Sequence, residues 1–193
     1  MSEIITETKN LILSITLNRA EKRNALNDGL VNSVKQALAE ADRNDDLRAI
    51  VIKGAGKDFC SGADLSSLQK IAESDVLENL ADAENLMELF ALIRKIKVPV
   101  IAAVHGRALA GGCGLATACD IVLASESAIF GYPEVKIGFV PAMVMAILRR
   151  NLSEKRAFEL ITKGFNFNAE TAEKFGLINR VFSDTTFETD VAE

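Results

Sequence analysis

Residues 98–116 read VPVIAAVHGRALAGGCGLA, an apolar run that leads into a cluster of glycines. The run over 98–104 has the length and apolarity of a buried strand. Gly111, Gly112 and Gly114 follow where a helix is expected to begin. Backbone N–H groups at a helix start lack partners within the helix and carry the positive end of its dipole. The stretch therefore predicts a strand-to-helix junction able to hold an anionic oxygen.

Residues 53–65 read KGAGKDFCSGADL and form a second glycine-bearing junction after a predicted strand. A dinucleotide fingerprint starting at Gly54 would need glycine where Phe59 stands. A P-loop would need Ser or Thr after Lys57, where the sequence has Asp58. This junction therefore fits neither of the two common phosphate-binding motifs.

Hydrophobic periodicity around these junctions predicts strands that alternate with helices. Alternation by two residues predicts a strand over 11–17, and 3.6-residue spacing predicts a helix that buries Leu30, Val31, Val34, Ala37, Leu38 and Ala41. A long helix is predicted from Val76, Leu80, Ala83, Met87 and Phe90, which share one face, and it ends at the basic turn 94–97. Other strands are predicted over 47–52, 98–104, 121–124, 128–130 and 177–182, and other helices over 143–148, 153–162 and 169–175, with Ser153 and Gly176 as caps. This order indicates an α/β fold with buried, largely parallel sheets.

Composition excludes several classes of protein. The 193 residues are enough for one domain, which we expect to span 1–193. The net charge of −5 argues against a binder of nucleic acid or anionic lipid. The apolar stretch 98–124 is interrupted by His105, Arg107 and Asp120, so we expect a buried core and no membrane span.

The cysteines and the single histidine indicate a reducing compartment and no metal site. Cys60, Cys113 and Cys119 are odd in number and form no C-x-x-C pair, which favours a cytoplasmic protein without disulfides. No basic and apolar leader opens the chain, so no secretory signal is expected. His105 has no second ligand cluster near it, and we expect it to fill a turn or hydrogen-bonding role.

Five sequence blocks, in order, resemble the crotonase superfamily, the enoyl-CoA hydratase/isomerase family. They are NRAEKRNALN at 18–27, FCSGADL at 59–65, VPVIAAVHG at 98–106 with GGCGLA at 111–116, CDI at 119–121 and FGYPE at 130–134. The resemblance runs from residue 17 to residue 181. It implies the ClpP-like crotonase fold, a spiral of ββα units, and an acyl-CoA thioester as substrate. The chain is expected to lack most of the C-terminal helical segment of that family.

The resemblance also assigns roles to residues. The oxyanion hole, which stabilises negative charge on the thioester oxygen, would be formed by the backbone N–H groups of Ala63 and Gly111. The substrate and its CoA moiety would be held by Lys22, Arg23, Ala25, Leu26, Ala63, Asp64, Leu65, Gly111, Gly112 and Pro133. Lys53 and Lys57 add positive charge near these blocks, as the phosphates of CoA require.

The acid–base residues decide the reaction. The hydratase pattern has a glutamate three residues after the oxyanion glycine, and this chain has Gly114 there. The second glutamate of the pattern is present as Glu134. The preferred interpretation is a hydratase of 2-enoyl-CoA, similar to methylglutaconyl-CoA hydratases. The alternatives are an enoyl-CoA isomerase with one glutamate as proton shuttle, and a non-catalytic CoA-binding or assembly protein.

The resemblance implies no metal and no cofactor beyond the CoA moiety of the substrate. It implies a homotrimer, or a dimer of trimers, if the C-terminal segment is present. An RNA-binding scaffold, known among relatives, is disfavoured by the net charge of −5.

Overall fold

The computed structural model describes residues 2–64, 69 and 73–193. Within these residues the strands are β1 Ile4–Lys9, β2 Ile12–Leu17, β3 Ala49–Gly54, β4 Val100–Val104, β5 Arg107–Leu109, β6 Ile121–Ser125, β7 Ile129–Gly131, β8 Asn166–Asn168 and β9 Arg180–Phe182. The α-helices are α1 Asp28–Ala41, α2 Val76–Ile93, α3 Gly111–Ala118, α4 Ala142–Asn151, α5 Glu154–Lys163, α6 Ala169–Phe175 and α7 Phe187–Ala192. Two 3-10 helices span Ala20–Lys22 and Pro133–Ile137. The predicted alternation of strands and helices is confirmed.

Two sheets organise the chain. The larger has the order β1-β2-β3-β4-β6-β9, and every pair in it except β1 with β2 is parallel. The smaller has the order β5-β7-β8, with β5 parallel to β7 and β8 antiparallel to β7. The prediction of largely parallel sheets is therefore confirmed.

The main hydrophobic core lies between the larger sheet and the helices α1, α2 and α3, and it continues into the smaller sheet and the helices α4, α5 and α6. Helix α1 buries the six residues that its periodicity predicts, and the side chain of Asn27 caps its first turn by accepting from the Leu30 amide. A smaller cluster, with Val51, Ala103 and Phe187, packs α7 against the opposite face of the sheet. The residues of β3 and β4 thus alternate between the two faces.

Helix α2 forms as predicted, but most of the residues whose spacing predicts it are not buried. Val76, Leu80 and Met87 are exposed by 82%, 53% and 51%. Burial is confined to Leu89, Phe90 and Ile93, because only the later turns of the helix pack on the core. The N-terminal turns of α2 carry apolar side chains outward.

Three strands, β1, β5 and β8, were not predicted from the hydrophobic periodicity of the sequence. Strand β1 lies at the sheet edge with mostly exposed residues, so its side chains show no burial alternation. Strands β5 and β8 have three residues each, too few to show a period. The strand predicted over 177–182 is shorter, because the chain after Gly176 becomes regular only at Arg180.

Candidate active site

Ala63 lies in a short extended segment that pairs with Leu26. The Leu26 amide donates to the Gly62 carbonyl at 2.7 Å, and the Asp64 amide donates to the Leu26 carbonyl at 2.9 Å. In a parallel pair of this kind, the residue between the two bonded positions points its own N–H away from the neighbouring strand. The N–H of Ala63 therefore faces away from Leu26, and no described residue accepts from it.

The other edge of the same segment pairs with β5. The Cys60 amide donates to the Arg107 carbonyl and the Leu109 amide donates to the Cys60 carbonyl, both at 3.0 Å. The segment then passes close to the start of α3: a Cβ placed on Gly62 would lie 2.8 Å from the Ala110 Cβ. Gly62 has φ +98°, so a side chain there would be both strained and crowded.

Gly111 is the first residue of α3 and directly follows Ala110. The N-cap Ala110 has φ 51° and offers no side-chain cap, and no described residue accepts from the Gly111 amide. A Cβ on Gly111 would lie 3.3 Å from Leu26 Cδ1. The amides of Ala63 and Gly111, which have no acceptor among the described residues, thus each lie one residue beyond the Gly62–Ala110 contact, and both neighbour Leu26.

Gly112 has a different role from Gly111. A Cβ on Gly112 would lie 2.3 Å from the Cys60 carbonyl oxygen and 2.7 Å from Cys60 Sγ. Only glycine permits α3 to approach the segment before Ala63 this closely. The absence of a side chain at Gly112 therefore sets the distance between the two predicted oxyanion donors.

Glu134 reaches the same region from the smaller sheet. Its preceding strand β7 runs parallel to β5 with Gly131 opposite Leu109, so the two chains leave the sheet at the same edge. Pro133 is half-buried and opens the 3-10 helix that carries Glu134. Glu134 and Gly111 come from two separate sequence motifs. The structure places each of them shortly after one of two paired strands, β7 and β5.

The carboxylate of Glu134 is buried and incompletely paired. The residue is 8% exposed, and its Oε2 has no hydrogen-bond partner among the described residues. Burial raises the pKa of this carboxyl above its ordinary value. Burial also raises the pKa of the Cys113 thiol on α3 to about 12, with a smaller contribution from the charge of Glu134. A carboxyl of raised pKa close to α3 is suited to general acid–base work.

The position of the absent first glutamate is filled by apolar atoms. A Cβ on Gly114 would lie 3.0 Å from Val144 Cγ2 and 3.4 Å from Phe90 Cζ. Helices α2 and α4 therefore close the space beside this turn of α3. The structure brings one carboxylate, that of Glu134, to the site among its described residues.

The predicted cations do not all lie together. Lys22, Arg23 and Lys57 are exposed, and the side chain of Arg23 is 62% exposed with its Nε 3.9 Å from an Asp58 carboxylate oxygen. Lys53 instead pairs with Glu188 at 3.2 Å, on the sheet face that α7 covers. Alternation along β3 turns the Lys53 side chain to that face. A contribution of Lys53 to the binding of the CoA phosphates stays a prediction.

The remaining predicted binding residues form their described contacts mainly through the backbone. Ala25 and Leu26 are buried, and the backbone of Leu26 is used in its pairing with Ala63. Asp64 is 8% exposed and forms an ion pair with Arg19. The structure therefore places the Asp64 carboxylate against protein. Leu65 lies outside the described residues.

Arg19 and Asn24 hold the segments beside Ala63 and Leu26, and the sequence assigned no role to either of them. Arg19 contacts Glu3 at 3.0 Å and Asp64 at 2.9 Å, and it donates to the Ala25 carbonyl. Asn24 is fully buried; its side chain accepts from the Arg19 amide and donates to the carbonyls of residues 55 and 58. Polar residues in a loop show no periodicity that could predict their contacts. Arg19 and Asn24 were included in the sequence argument only as members of the NRAEKRNALN block.

Other predictions for single residues can be placed in the structure. His105 Nε2 lies 3.0 Å from the Gly56 carbonyl, the hydrogen-bonding role expected of it. The Asp120 carboxylate accepts from the Val100 amide at 2.9 Å and pairs with Arg94. Among the residues that the structure describes, no group of three or more His, Cys, Asp and Glu has the arrangement of a metal site. None of the described helices has the length and apolarity that crossing a membrane requires.

These junctions match a known family. The family model of enoyl-CoA hydratase/isomerase matches residues 7–193. The chain belongs to this family. A Thermus thermophilus relative is 42% identical over 173 residues, covering 90% of the chain and 68% of that protein. The 2,3-dehydroadipyl-CoA hydratase of Escherichia coli is 37% identical over 190 residues, covering 97% of the chain and 72% of that enzyme.

Solved structures establish the fold of this family member. A Legionella pneumophila crotonase structure matches with a TM-score of 0.96 and 35% identity, over all of the chain and 74% of that protein. An enoyl-CoA hydratase structure from Mycobacterium smegmatis matches with a TM-score of 0.94 and 28% identity, over 98% and 74%. The predicted crotonase fold is confirmed. The chain spans about two thirds of the length of the relatives it matches, and 62% of a Dictyostelium discoideum relative.

Proposed function

We propose that this family member hydrates a 2-enoyl-CoA thioester. The observation that carries the proposal is the buried, unpartnered Oε2 of Glu134 at the edge where β5 and β7 end. The unpaired amides of Ala63 and Gly111 supply the second requirement, two donors for one carbonyl oxygen. The E. coli relative named as a hydratase supports this choice of reaction.

The chemistry follows from charge development. Addition of water at C3 places negative charge on the thioester oxygen, and two N–H donors stabilise that charge in the transition state. Each such donor typically contributes about 10²–10³ in rate. Glu134 takes a proton from the attacking water and then delivers a proton to C2, so the carboxylate is regenerated.

The CoA moiety is the only cofactor-like group that the proposal requires. Lys22, Arg23 and Lys57 are exposed cations on the loops that precede Leu26 and Ala63. They would attract the phosphates of CoA, although the protein as a whole is acidic. Each contact with a phosphate at an exposed site is sensitive to salt.

Isomerisation of a 3-enoyl-CoA is the second candidate. It is favoured by the apolar wall at Gly114, where Val144 and Phe90 crowd the position of a second carboxylate. One carboxylate suffices for this reaction, because Glu134 can remove a proton from C2 and return it at C4, which moves the double bond from C3–C4 to C2–C3. The thioester oxygen carries the charge of the intermediate, so the same two amides are required.

Mass spectrometry combined with chromatography separates the candidates, because the hydrated product has a new mass and the isomer has the same mass with a different retention time. The protein is incubated with a 2-enoyl-CoA and, separately, with a 3-enoyl-CoA. A gain of one water from the 2-enoyl-CoA supports hydration, and a moved double bond at constant mass supports isomerisation. Glu134→Gln is the matched control, in which turnover falls and thioester binding persists. Binding without conversion of either substrate would overturn both reactions and favour a CoA-binding protein.

A panel of acyl groups addresses the finer substrate assignment. Branched, acidic and straight-chain 2-enoyl-CoA thioesters are compared by kcat/KM. A preference for the branched acidic substrate supports the methylglutaconyl-like interpretation, and a preference for a straight chain contradicts it. We also propose a homotrimer, or a dimer of trimers, for a protein that includes the C-terminal segment of the family. Light scattering after size exclusion measures the mass of the assembly directly.

A further inference from the structure

The contacts of Arg19 cross the pair of segments that holds Ala63. Its Nη1 donates to the Ala25 carbonyl on one segment, and its Nη2 lies 2.9 Å from Asp64 Oδ2 on the other. Ala25 directly precedes Leu26, and Asp64 directly follows Ala63. We call Arg19, Ala25 and Asp64 the arginine clamp.

The clamp is buried and is itself held in place. The side chains of Arg19 and Asp64 are only 13% and 11% exposed, so their attraction is little screened by solvent. Arg19 Nε lies 3.0 Å from Glu3 Oε2, and the Arg19 amide donates to Asn24 Oδ1. A planar guanidinium can serve several acceptors in different directions, which an ammonium group cannot do with the same geometry.

The side chain of Ala63 is a single methyl group, which can form no hydrogen bond to set the direction of its amide. Its position depends on the neighbours, namely the Gly62 carbonyl and the Asp64 amide, both bonded to Leu26. The clamp joins the segment after Ala63 to the segment before Leu26. Loss of the clamp therefore frees the peptide of Ala63 to rotate or shift.

We propose that Arg19 is a positioning residue, which acts through Asp64 to aim the Ala63 amide at the thioester oxygen. This inference rests on the proposed function and adds a residue to it. A displacement near 1 Å at a reacting group can lower a rate about 10²-fold, so Arg19→Lys is expected to lower kcat by about that factor. KM is expected to change less than kcat, because the hydrogen bond to the thioester oxygen is already present in the bound substrate and becomes stronger as charge develops in the transition state.

The closing experiment reads the carbonyl group directly. A saturated acyl-CoA, labelled with ¹³C at the thioester carbon, binds without reacting, and hydrogen bonds to its oxygen lower the infrared carbonyl frequency. The wild-type protein is expected to lower this frequency strongly, and Arg19→Lys and Asp64→Asn are expected to lower it less. The double variant should lose no more than the larger single loss, because both residues act on one peptide.

Arg94→Lys is the matched control. This substitution also removes a guanidinium group from an Arg–Asp pair. The pair is that of Arg94 and Asp120, at 3.1 Å, and it lies outside the site. The carbonyl frequency of acyl-CoA bound to Arg94→Lys, and the kcat of this variant, are expected to equal those of the wild-type protein. Asp64→Asn conserves shape, so it decides the question if Arg19→Lys does not fold.

The outcomes separate the clamp from the proposed function. A wild-type protein that shifts the carbonyl band, with folded clamp variants that shift it equally, overturns the role of Arg19 alone. A wild-type protein that leaves the labelled acyl-CoA unbound overturns the proposed function and the clamp with it. A reduced shift in the clamp variants, with the Arg94→Lys shift intact, supports the inference.

Discussion

Gly114 lies against Val144, so that a Cβ added to Gly114 would come within 3.0 Å of Val144 Cγ2. The contact joins α3 to α4 at the position where a hydratase carries its first acid. A side chain added at Gly114 would therefore be crowded by Val144. The site is built around the single carboxylate of Glu134 and an apolar neighbour.

Gly114→Glu is expected to destabilise the protein and not to add hydratase activity. Overpacking of a filled site typically costs about 1–3 kcal/mol, and burial of the added carboxylate increases the loss. Chemical denaturation measures the free energy of unfolding. Gly114→Ala is the control: its crowding is partly offset by a gain in helix propensity of about 1 kcal/mol.

The cause of that loss is tested by shortening Val144. Gly114→Glu combined with Val144→Ala should be more stable than the sum of the single changes predicts, because the second change removes the clash. Additive losses would show that crowding by Val144 is not the cause. A stable Gly114→Glu protein with faster hydration would contradict the apolar-wall interpretation outright.

Glu134→Gln is expected to lower turnover by about 10²–10⁴ and to make stability less dependent on pH. Burial raises the folded-state pKa of Glu134, so the folded protein keeps a proton that the unfolded chain has already lost. The stability of the wild-type protein therefore falls as pH rises through the ordinary and then the raised pKa. Glu134→Gln lacks this decrease in stability with pH. Its free energy of unfolding relative to that of the wild-type protein should therefore be higher at pH 8 than at about pH 5.

Denaturation curves at several pH values, together with turnover assays, measure both effects. Glu154→Gln on α5 is a matched control, because Glu154 is exposed on the surface and its pair with Arg149 is solvated. An equal dependence on pH in the wild type and Glu134→Gln would show that the carboxyl is not the source of the pH effect.

Gly112→Ala is expected to be far more damaging than Gly111→Ala. The new Cβ of Gly112→Ala would lie 2.3 Å from the Cys60 carbonyl, whereas that of Gly111→Ala meets only the flexible end of Leu26 at 3.3 Å. We expect a loss of about 1–3 kcal/mol or more for Gly112→Ala. Thermal and chemical denaturation compare the two variants, and equal losses would contradict the close approach of α3 to Cys60.

Reagents that attack thiolates should leave the native protein unmodified at pH 8. Cys60, Cys113 and Cys119 are buried, and burial raises the pKa of both Cys60 and Cys113 to about 12. Thiol titration with and without denaturant provides the measurement. All three thiols should react after unfolding, and rapid reaction of one thiol in the folded protein would contradict its burial.

The local pattern of the sequence identified elements whose own residues decide their form. Helix α1 buries the predicted stripe, and α6 ends at Gly176, which has φ +79°. Such features depend on neighbours within one or two turns of the chain. Glu134, Ala63 and Gly111 were likewise found in local motifs, because each motif is contiguous in the sequence.

Periodicity could show that α2 is a helix, but it could not show which part of the helix is buried. Val76 and Leu80 have the spacing of a core face and are exposed, since burial depends on where the sheet and α1 end. Arg19 gives a similar example. Its partner Asp64 is 45 residues away, so the loop sequence contains no sign of the pair.

By itself, the sequence determined the fold class, the two glycine-bearing junctions and the single candidate acid, because these depend on short-range patterns and contiguous motifs. Only the tertiary structure decided that Val144 and Phe90 occupy the space beside Gly114. It also decided that Glu134 is buried with one oxygen unpaired, and that Arg19 connects the segments around Ala63. Burial and pairing of this kind arise from contacts between distant parts of the chain, and sequence periodicity does not contain them.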